Sequence, residues 1–253
     1  SARAAVTAQL AVVLVEPSGP LNVGSVARLC ANFGVASLRL VAPRCDPTDP
    51  QAKQMAVRGL EQLLSCQLYP SLTDAVADCR RVVACSGRVE AKEREHLLPD
   101  QALQWLMEPK AGPSHVALVF GREDHGLHSS ELNVAGKLLR IPTSETYGSL
   151  NLSHAVAICL AEHQKLAHAP VDSASECLPP LPAQAALEAA MQDAEQLLLE
   201  VGFLYPHTAA ARMAKLRQLM LRAEPSEAEV ALLRGMVRQL RWASRHGGAE
   251  QGQ

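Results

Sequence analysis

Five short runs of branched and apolar residues recur along the chain, with helix-like spacing between them. They are LAVVLVE (10–16), SLRLVAP (37–43), RRVVACS (80–86), HVALVFG (115–121) and KLLRIP (137–142). Parallel strands cannot be joined by tight turns, so strands alternating with helices predict a mostly parallel sheet covered by helices on both faces, an α/β fold. Gly34 reads as the C-cap of the first helix and Ser71 as the N-cap of a later one. The segment NLSHAVAICLAEHQKLAH (151–168) closes this part with a helix of about five turns. Residues 1–168 are therefore expected to form one sheet domain.

The composition then changes. Residues 169–183 carry four prolines and no apolar periodicity, as a linker does. Beyond them, Leu187, Met191, Ala194, Leu198 and Val201 fall on one helical stripe; Met213, Leu216 and Met220 continue the pattern, as do Val230, Leu233, Val237 and Leu240. Pro225 and Ser226 are arranged as a helix start. Residues 184–246 thus read as a small all-helical extension and 247–253 as a disordered tail. The formal charge of the whole chain is only −2, but residues 181–200 hold four acids and no base, and residues 205–222 hold four bases and no acid. Arg234, Arg238, Arg241 and Arg245 lie along one helix face. Such a face is either solvated or a phosphate-contacting edge; in the second case the acidic helix should face away from the nucleic acid.

Aromatic residues make up 3% of the chain, which argues against stacking platforms for bare single strands. Seven scattered cysteines without C-x-x-C spacing indicate buried, reduced thiols rather than a disulfide framework or a zinc site. His125 and His128 stand near Glu123 without a further ligand at recognisable spacing, so no metal is expected. No apolar stretch approaches membrane-spanning length and no signal-peptide h-region is recognisable, so a cytosolic protein with no membrane partner is expected.

Three loops carry the chemistry. GPLNVGSVAR (19–28) follows the first strand, GREDHGL (121–127) the fourth, and IPTSETYGSLNLS (141–153) the fifth. In a parallel sheet all three emerge at the same carboxyl edge, where ligands bind. Neither a G-x-G-x-x-G nor a G-x-x-x-x-G-K-[ST] fingerprint is present, which disfavours a nucleotide-dependent oxidoreductase. Asn22 reads as the N-cap of the helix it precedes, and Ser149 with Asn151 as a cap of the last sheet-domain helix. Gly121 and Gly126 suit a backbone that approaches a ligand closely, and Ile141 with Leu150 suit either an apolar slot or the core. Glu123 either contacts substrate or accepts backbone N–H bonds.

In order and content, N-x-G-x-x-x-R, F-G-x-E-x-x-G and I-P…S-L-N-L-S resemble the SpoU (TrmH) family of RNA ribose 2′-O-methyltransferases in the SPOUT class, over roughly residues 8–168. The segment 201–240 is similar to the C-terminal extension of a branch acting on the pyrimidine nucleotide 32 that opens the tRNA anticodon loop. The resemblance implies a C-terminal trefoil knot binding S-adenosylmethionine, a homodimer, and a substrate that is tRNA at its anticodon stem-loop, with no DNA partner. It implies catalytic roles for Arg28, Asn22, Ser149, Asn151 and Glu123. Cofactor binding falls to Gly121, Arg122, Glu123, Gly126, Ile141, Pro142, Ser149, Leu150 and Asn151. RNA contacts are expected from Arg28, Arg88, Arg234, Arg238, Arg241 and Arg245, with Arg94 a further candidate. The alternatives are a ribosomal RNA substrate, or a nonenzymatic RNA-binding relative, which should lack Arg28 or Asn151.

Overall fold

The computed structural model describes residues 8–35, 37–87, 94–108, 115–168 and 179–246. The chain divides into two compact units, residues 1–177 and 178–253. In the first, seven parallel strands run in the order β3-β2-β1-β6-β4-β7-β5. The central ones are β1 (Gln9–Val15), β6 (His115–Phe120) and β4 (Cys79–Cys85), flanked by β2 (Ser37–Val41) and β7 (Lys137–Leu139). The edge strands β3 (Gln67–Tyr69) and β5 (His96–Leu97) are additions to the five runs visible in the sequence.

β1 is buried on both faces, and its side chains alternate between two cores with the period of a strand. Leu10, Val12 and Leu14 join Val116, Leu118 and Phe120 beneath α1 (Pro20–Asn32), α2 (Pro50–Ala56), α3 (Leu60–Leu64), α5 (Pro99–Met107) and α7 (Leu152–Ala167). Val13 and Val15 join Val82, Ala117 and Val119 on the other face, beneath α4 (Leu72–Ala75). Gly34 lies just past α1 at φ 66°, and the Ser71 hydroxyl accepts the Asp74 N–H at 3.2 Å to cap α4. Gly24 has a packing role: a Cβ there would lie 2.2 Å from the Ala52 carbonyl, so only glycine lets α1 and α2 meet this closely.

The buried Arg39 guanidinium is held by the Asp78 carboxylate at 2.9 Å and by the Ala75 carbonyl at 2.7 Å. Burial pushes the Asp78 carboxyl up, but hydrogen bonds and attraction from Arg39 outweigh it and hold the group below its ordinary value. A depressed carboxyl stabilises the fold above its unfolded pKa and loses that contribution as pH falls through the folded one. Asp78→Asn should therefore cost about 1–2 kcal/mol at pH 7, less than the ~3–5 kcal/mol of a wholly buried pair, because the Asp78 side chain is half exposed. Urea unfolding at pH 7 and at pH 3 checks this: the gap between variant and wild type should narrow at the lower pH.

The second unit contains α8 (Gln184–Glu200), α9 (Pro206–Ala223) and α10 (Glu227–His246). Ser226 and Glu229 form a reciprocal capping box at the start of α10, with Ser226 N–H donating to the Glu229 carboxylate at 2.7 Å. The expected apolar stripes are buried only in part: Leu187, Met191 and Val230 are buried, and Met213, Leu216 and Met220 of α9 are half-buried. In α8, Leu187, Ala190, Met191 and Leu197 are buried whereas Val201, just past its end, is exposed; in α10, Val230 is buried and Leu233 and Leu240 are exposed. Arginines of α10 meet α8 at Asp193 and Glu200.

Candidate active site at the carboxyl edge of the sheet

The three loops converge at the carboxyl ends of β1, β6 and β7 and are tied by one chain of hydrogen bonds. Glu123, after β6, accepts the backbone N–H groups of Ser18 at 3.1 Å and Gly19 at 3.0 Å, the Ser18 hydroxyl at 3.1 Å, and the Asn22 side-chain amide at 3.2 Å. Asn22 Oδ1 accepts from Asn151 Nδ2 at 3.0 Å, and Asn151 Oδ1 accepts the Ser153 N–H at 2.9 Å, capping α7. Of its two expected possibilities, Glu123 takes the second, holding the first loop rather than its own.

The polarity of this chain is fixed from its ends. An ionised carboxylate only accepts, so Asn22 must turn its Nδ2 to Glu123 and its Oδ1 to Asn151, which must then present Nδ2. Burial raises the Glu123 carboxyl, but the N–H groups of Ser18 and Gly19 together with the Asn22 amide outweigh it and hold the group below the ordinary carboxylate range. Each asparagine Nδ2 spends one N–H in the array and keeps a second for a ligand. Asn22 is not the N-cap expected from the sequence. Pro20 opens α1 at its first position and Gly19 is the N-cap, so Asn22 stands in the first turn with its side chain free to join the array.

The glycine loop closes on itself, with Arg122 and Gly126 exchanging backbone hydrogen bonds at 3.2 and 2.9 Å. A Cβ on Gly121 would lie 2.2 Å from the Gly126 carbonyl carbon, so Gly121 is required for the loop to pack against its own backbone. Gly126 is required instead for its φ of 66°; a Cβ there would meet no protein atom within 4 Å. The Arg122 guanidinium turns from the loop's open side to bind Glu16 and, at 2.9 Å, Glu131. Glu16, just past β1, takes a left-handed conformation, φ 46°, with its carboxylate on Arg122, and Arg122 holds that carboxyl below its usual range. Two residue pairs, Glu16–Arg122 and Asn22–Glu123, thus clamp the first loop to the second. Glu16 and Glu131 escaped the sequence reading; the only signal for Glu16 was a lone acid closing an apolar strand before Pro17.

Under the clamp lies a cleft of about 290 Å³ lined by Phe120, the loop 121–126, Ile141, Gly148, Ser149, Leu150 and Leu152. Its apolar flanks and exposed loop backbone, with Gly126 presenting no Cβ, fit the adenosine of a nucleoside cofactor. Pro142 is exposed between Ile141 and Thr143, and Ser149 reaches the cleft without joining the hydrogen-bond chain. Arg28 is exposed two turns along α1 from Leu21, and among the described residues it has neither hydrogen bond nor ion pair. Arg88 lies outside the described residues. Arg94 is not a free RNA contact: it donates at 2.6 Å to the carbonyls of Leu132 and Ala135 and is partly buried.

In the helical unit, Arg234 pairs with Asp193 at 2.9 Å, while Arg241 and Arg245 share Glu200 at 2.6 and 2.7 Å. Hydrogen bonds from those two arginines lower the Glu200 carboxyl to about 2. Two of the four acids of α8, Asp193 and Glu200, therefore face the arginine stripe rather than away from it, and a third, Glu188, pairs with Arg217 of α9. Among the described residues Arg238 alone of the four has no protein partner.

Residues 9–161 match the SpoU rRNA methylase family, and residues 185–251 match the C-terminal domain of the tRNA methyltransferase TrmJ. The chain is 37% identical over 232 residues to the tRNA (cytidine/uridine-2′-O-)-methyltransferase TrmJ of Pectobacterium atrosepticum, spanning 89% of this chain and 94% of that one. With the enzyme of the same description from Klebsiella pneumoniae it shares 36% identity over 231 residues, spanning 89% and 93%. The crystal structure of TrmJ from Z. mobilis superposes with a TM-score of 0.80 at 29% identity, covering 92% of this chain and 99% of that one. With three ordered loops joined at one sheet edge and similarity along nearly its whole length, the chain belongs to the SpoU methylase family.

Proposed function

We propose that this protein transfers a methyl group from S-adenosylmethionine to a ribose 2′-hydroxyl of tRNA, at the pyrimidine nucleotide 32 that opens the anticodon loop. The observation that carries this reading is the Glu123–Asn22–Asn151 array beside an adenosine-sized cleft, with Arg28 exposed and uncommitted. S-adenosylmethionine supplies an electrophilic methyl group when bound. Ile141 and Leu150 flank the adenosine, and the backbone of 121–126 meets its polar edge. A ribose hydroxyl is a poor nucleophile at neutral pH, so the protein must align it and favour its alkoxide. The second N–H groups of Asn22 and Asn151 serve as donors to that oxygen, and Arg28 stabilises the charge developing on it. A guanidinium is a reluctant proton acceptor, which weights Arg28 toward electrostatic stabilisation and an RNA phosphate.

Asn151→Ser separates the two duties of that residue. Serine caps helices about as well as asparagine but cannot reach Asn22, so thermal stability should stay within about 0.5 kcal/mol of wild type while methylation falls about tenfold or more. Equal loss of stability and activity would assign Asn151 to capping alone.

The helical unit is read as a tRNA contact, supported by its similarity to the TrmJ C-terminal domain. Because Arg238 is the uncommitted member of the stripe, Arg238→Ala should reduce the slope of log affinity against log salt by about 0.7–0.9, with a smaller change for Arg234→Ala. A salt series of tRNA binding for both variants checks this; unchanged slopes would make the stripe a solvated face.

The trefoil knot and the homodimer are proposed with the family. Passage of the chain from β6 across β4 to β7, followed by return of α7 onto α1, supports the first. The exposed apolar residues Tyr147 and Ile158 support the second. Incubating the protein and S-adenosylmethionine with a tRNA transcript and with ribosomal RNA fragments, followed by mass spectrometry of the nucleosides, tests the function. A 2′-O-methylpyrimidine only in the tRNA is expected; methylation confined to ribosomal RNA would replace the tRNA reading.

A further inference from the structure

A second groove, about 480 Å³, lies beside the Asn22–Asn151 pair and is distinct from the cleft under the glycine loop. The start of α7 forms part of the wall between them: Leu150, Leu152 and Ala155 line the cleft, whereas Asn151, Ser153 and His154 line the groove. On the other side of that wall Glu123, which lines the cleft, is hydrogen-bonded to Gly19 and Asn22, which line the groove. The hydrogen-bonded array is thus a septum between two cavities. A group transfer between two molecules needs both held with their reacting atoms meeting across a shared boundary. If one cavity takes the methyl donor, the other is placed for the acceptor.

The far wall of the groove carries side chains suited to a nucleoside. Gln51 is exposed at the start of α2, and among the described residues its amide has no partner; it offers both a donor and an acceptor. Met55, one turn further on, is 38% exposed and adds a polarizable apolar surface. His154 is exposed and is the only aromatic ring lining the groove, in a chain poor in aromatics. The volume lies within the ~300–1,000 Å³ common for small-molecule sites.

We propose that this groove receives the target nucleoside, with the Gln51 amide reading the hydrogen-bonding edge of its base. The proposal rests on the ribose methyltransferase reading above. A rotatable amide can accept from the cytosine N4 amino group while donating to N3, or accept from uracil N3–H while donating to a carbonyl oxygen. A reader of this kind admits both pyrimidines.

The test uses the full chain and an unmodified tRNA transcript, and compares wild type with Gln51→Ala and His154→Ala, both exposed positions whose replacement spares the core. Each variant should raise the KM for tRNA about five- to a hundredfold, the range of one lost bidentate base contact or one lost stacking partner, with S-adenosylmethionine affinity by calorimetry unchanged. KM values within twofold of wild type would overturn the groove assignment. So would a raised KM accompanied by a changed oligomeric state in sedimentation, which would make this surface a contact between copies of the chain. A wild-type protein that binds the cofactor but methylates no tRNA would instead overturn the underlying methyltransferase reading, whatever the variants do.

Discussion

Replacing Arg28 by alanine should cut the single-turnover rate of ribose methylation by at least about a hundredfold while leaving S-adenosylmethionine affinity nearly unchanged. The structure makes this substitution unusually clean. Arg28 is exposed on α1, and among the described residues its guanidinium makes no hydrogen bond or ion pair, so its loss removes none there. It does not line the cleft assigned to the cofactor. In the proposed reaction its charge serves the acceptor oxygen, where one donor to a developing oxyanion is worth about two to three powers of ten. Arg28→Lys should recover only part of the rate, because an ammonium lacks the planar fork that can bridge an alkoxide and a phosphate. Rapid-quench kinetics with saturating cofactor, alongside calorimetry, separates the two effects. A rate within a few-fold of wild type would remove Arg28 from the chemistry.

The second large effect falls on the cofactor cleft. Gly121→Ala places a Cβ 2.2 Å from the Gly126 carbonyl carbon and 2.4 Å from the Leu127 nitrogen, and both obstacles are backbone rather than a movable side chain. The loop must open, breaking the paired hydrogen bonds between Arg122 and Gly126. S-adenosylmethionine affinity should fall at least about a hundredfold, the scale of losing two or more polar contacts to a bound ligand. Gly126→Ala should be milder, since its Cβ meets no protein atom and the cost is the ~1–2 kcal/mol of a left-handed non-glycine residue. Glu16→Gln provides a variant without a steric burden: it removes one of the two carboxylate charges opposite the buried Arg122, leaving Glu131, and should weaken cofactor binding less than Gly121→Ala does. Calorimetry on variants whose melting is cooperative checks the order, and wild-type affinity in Gly121→Ala would contradict the cleft assignment.

How far the sequence reached depended on whether a feature was local. The five principal strands and the capping residues at Gly34 and Ser71 were legible because periodicity and turn chemistry act over a few residues. β3 and β5, three and two residues long, are too short to carry a period. The three loops were placed on one edge because parallel strands leave no other choice. Their mutual contacts span 101 and 129 residues of chain, and no local pattern announces which amide meets which carboxylate. Asn22 was misplaced although a signal existed: Pro20 is pre-organised for the first position of a helix, which moves the cap back to Gly19. Arg94 spends itself on two carbonyls from a distant turn, and nothing in its neighbourhood foretold that. The arginine stripe and the acids of residues 181–200 were both visible, but seeing Asp193 and Glu200 as partners of the stripe required the packing of α8 on α10.

The central claim is ribose methylation at one tRNA nucleotide, and alkaline hydrolysis reads it directly. Alkali cleaves RNA through attack of the 2′-oxygen on the neighbouring phosphate, so a methylated ribose leaves a gap in an otherwise even ladder. An end-labelled tRNA transcript treated with this protein and S-adenosylmethionine should show a single gap at nucleotide 32, absent when the cofactor is omitted. An unbroken ladder from tRNA that has nevertheless gained methyl groups would place the methyl on a base, and would contradict the account.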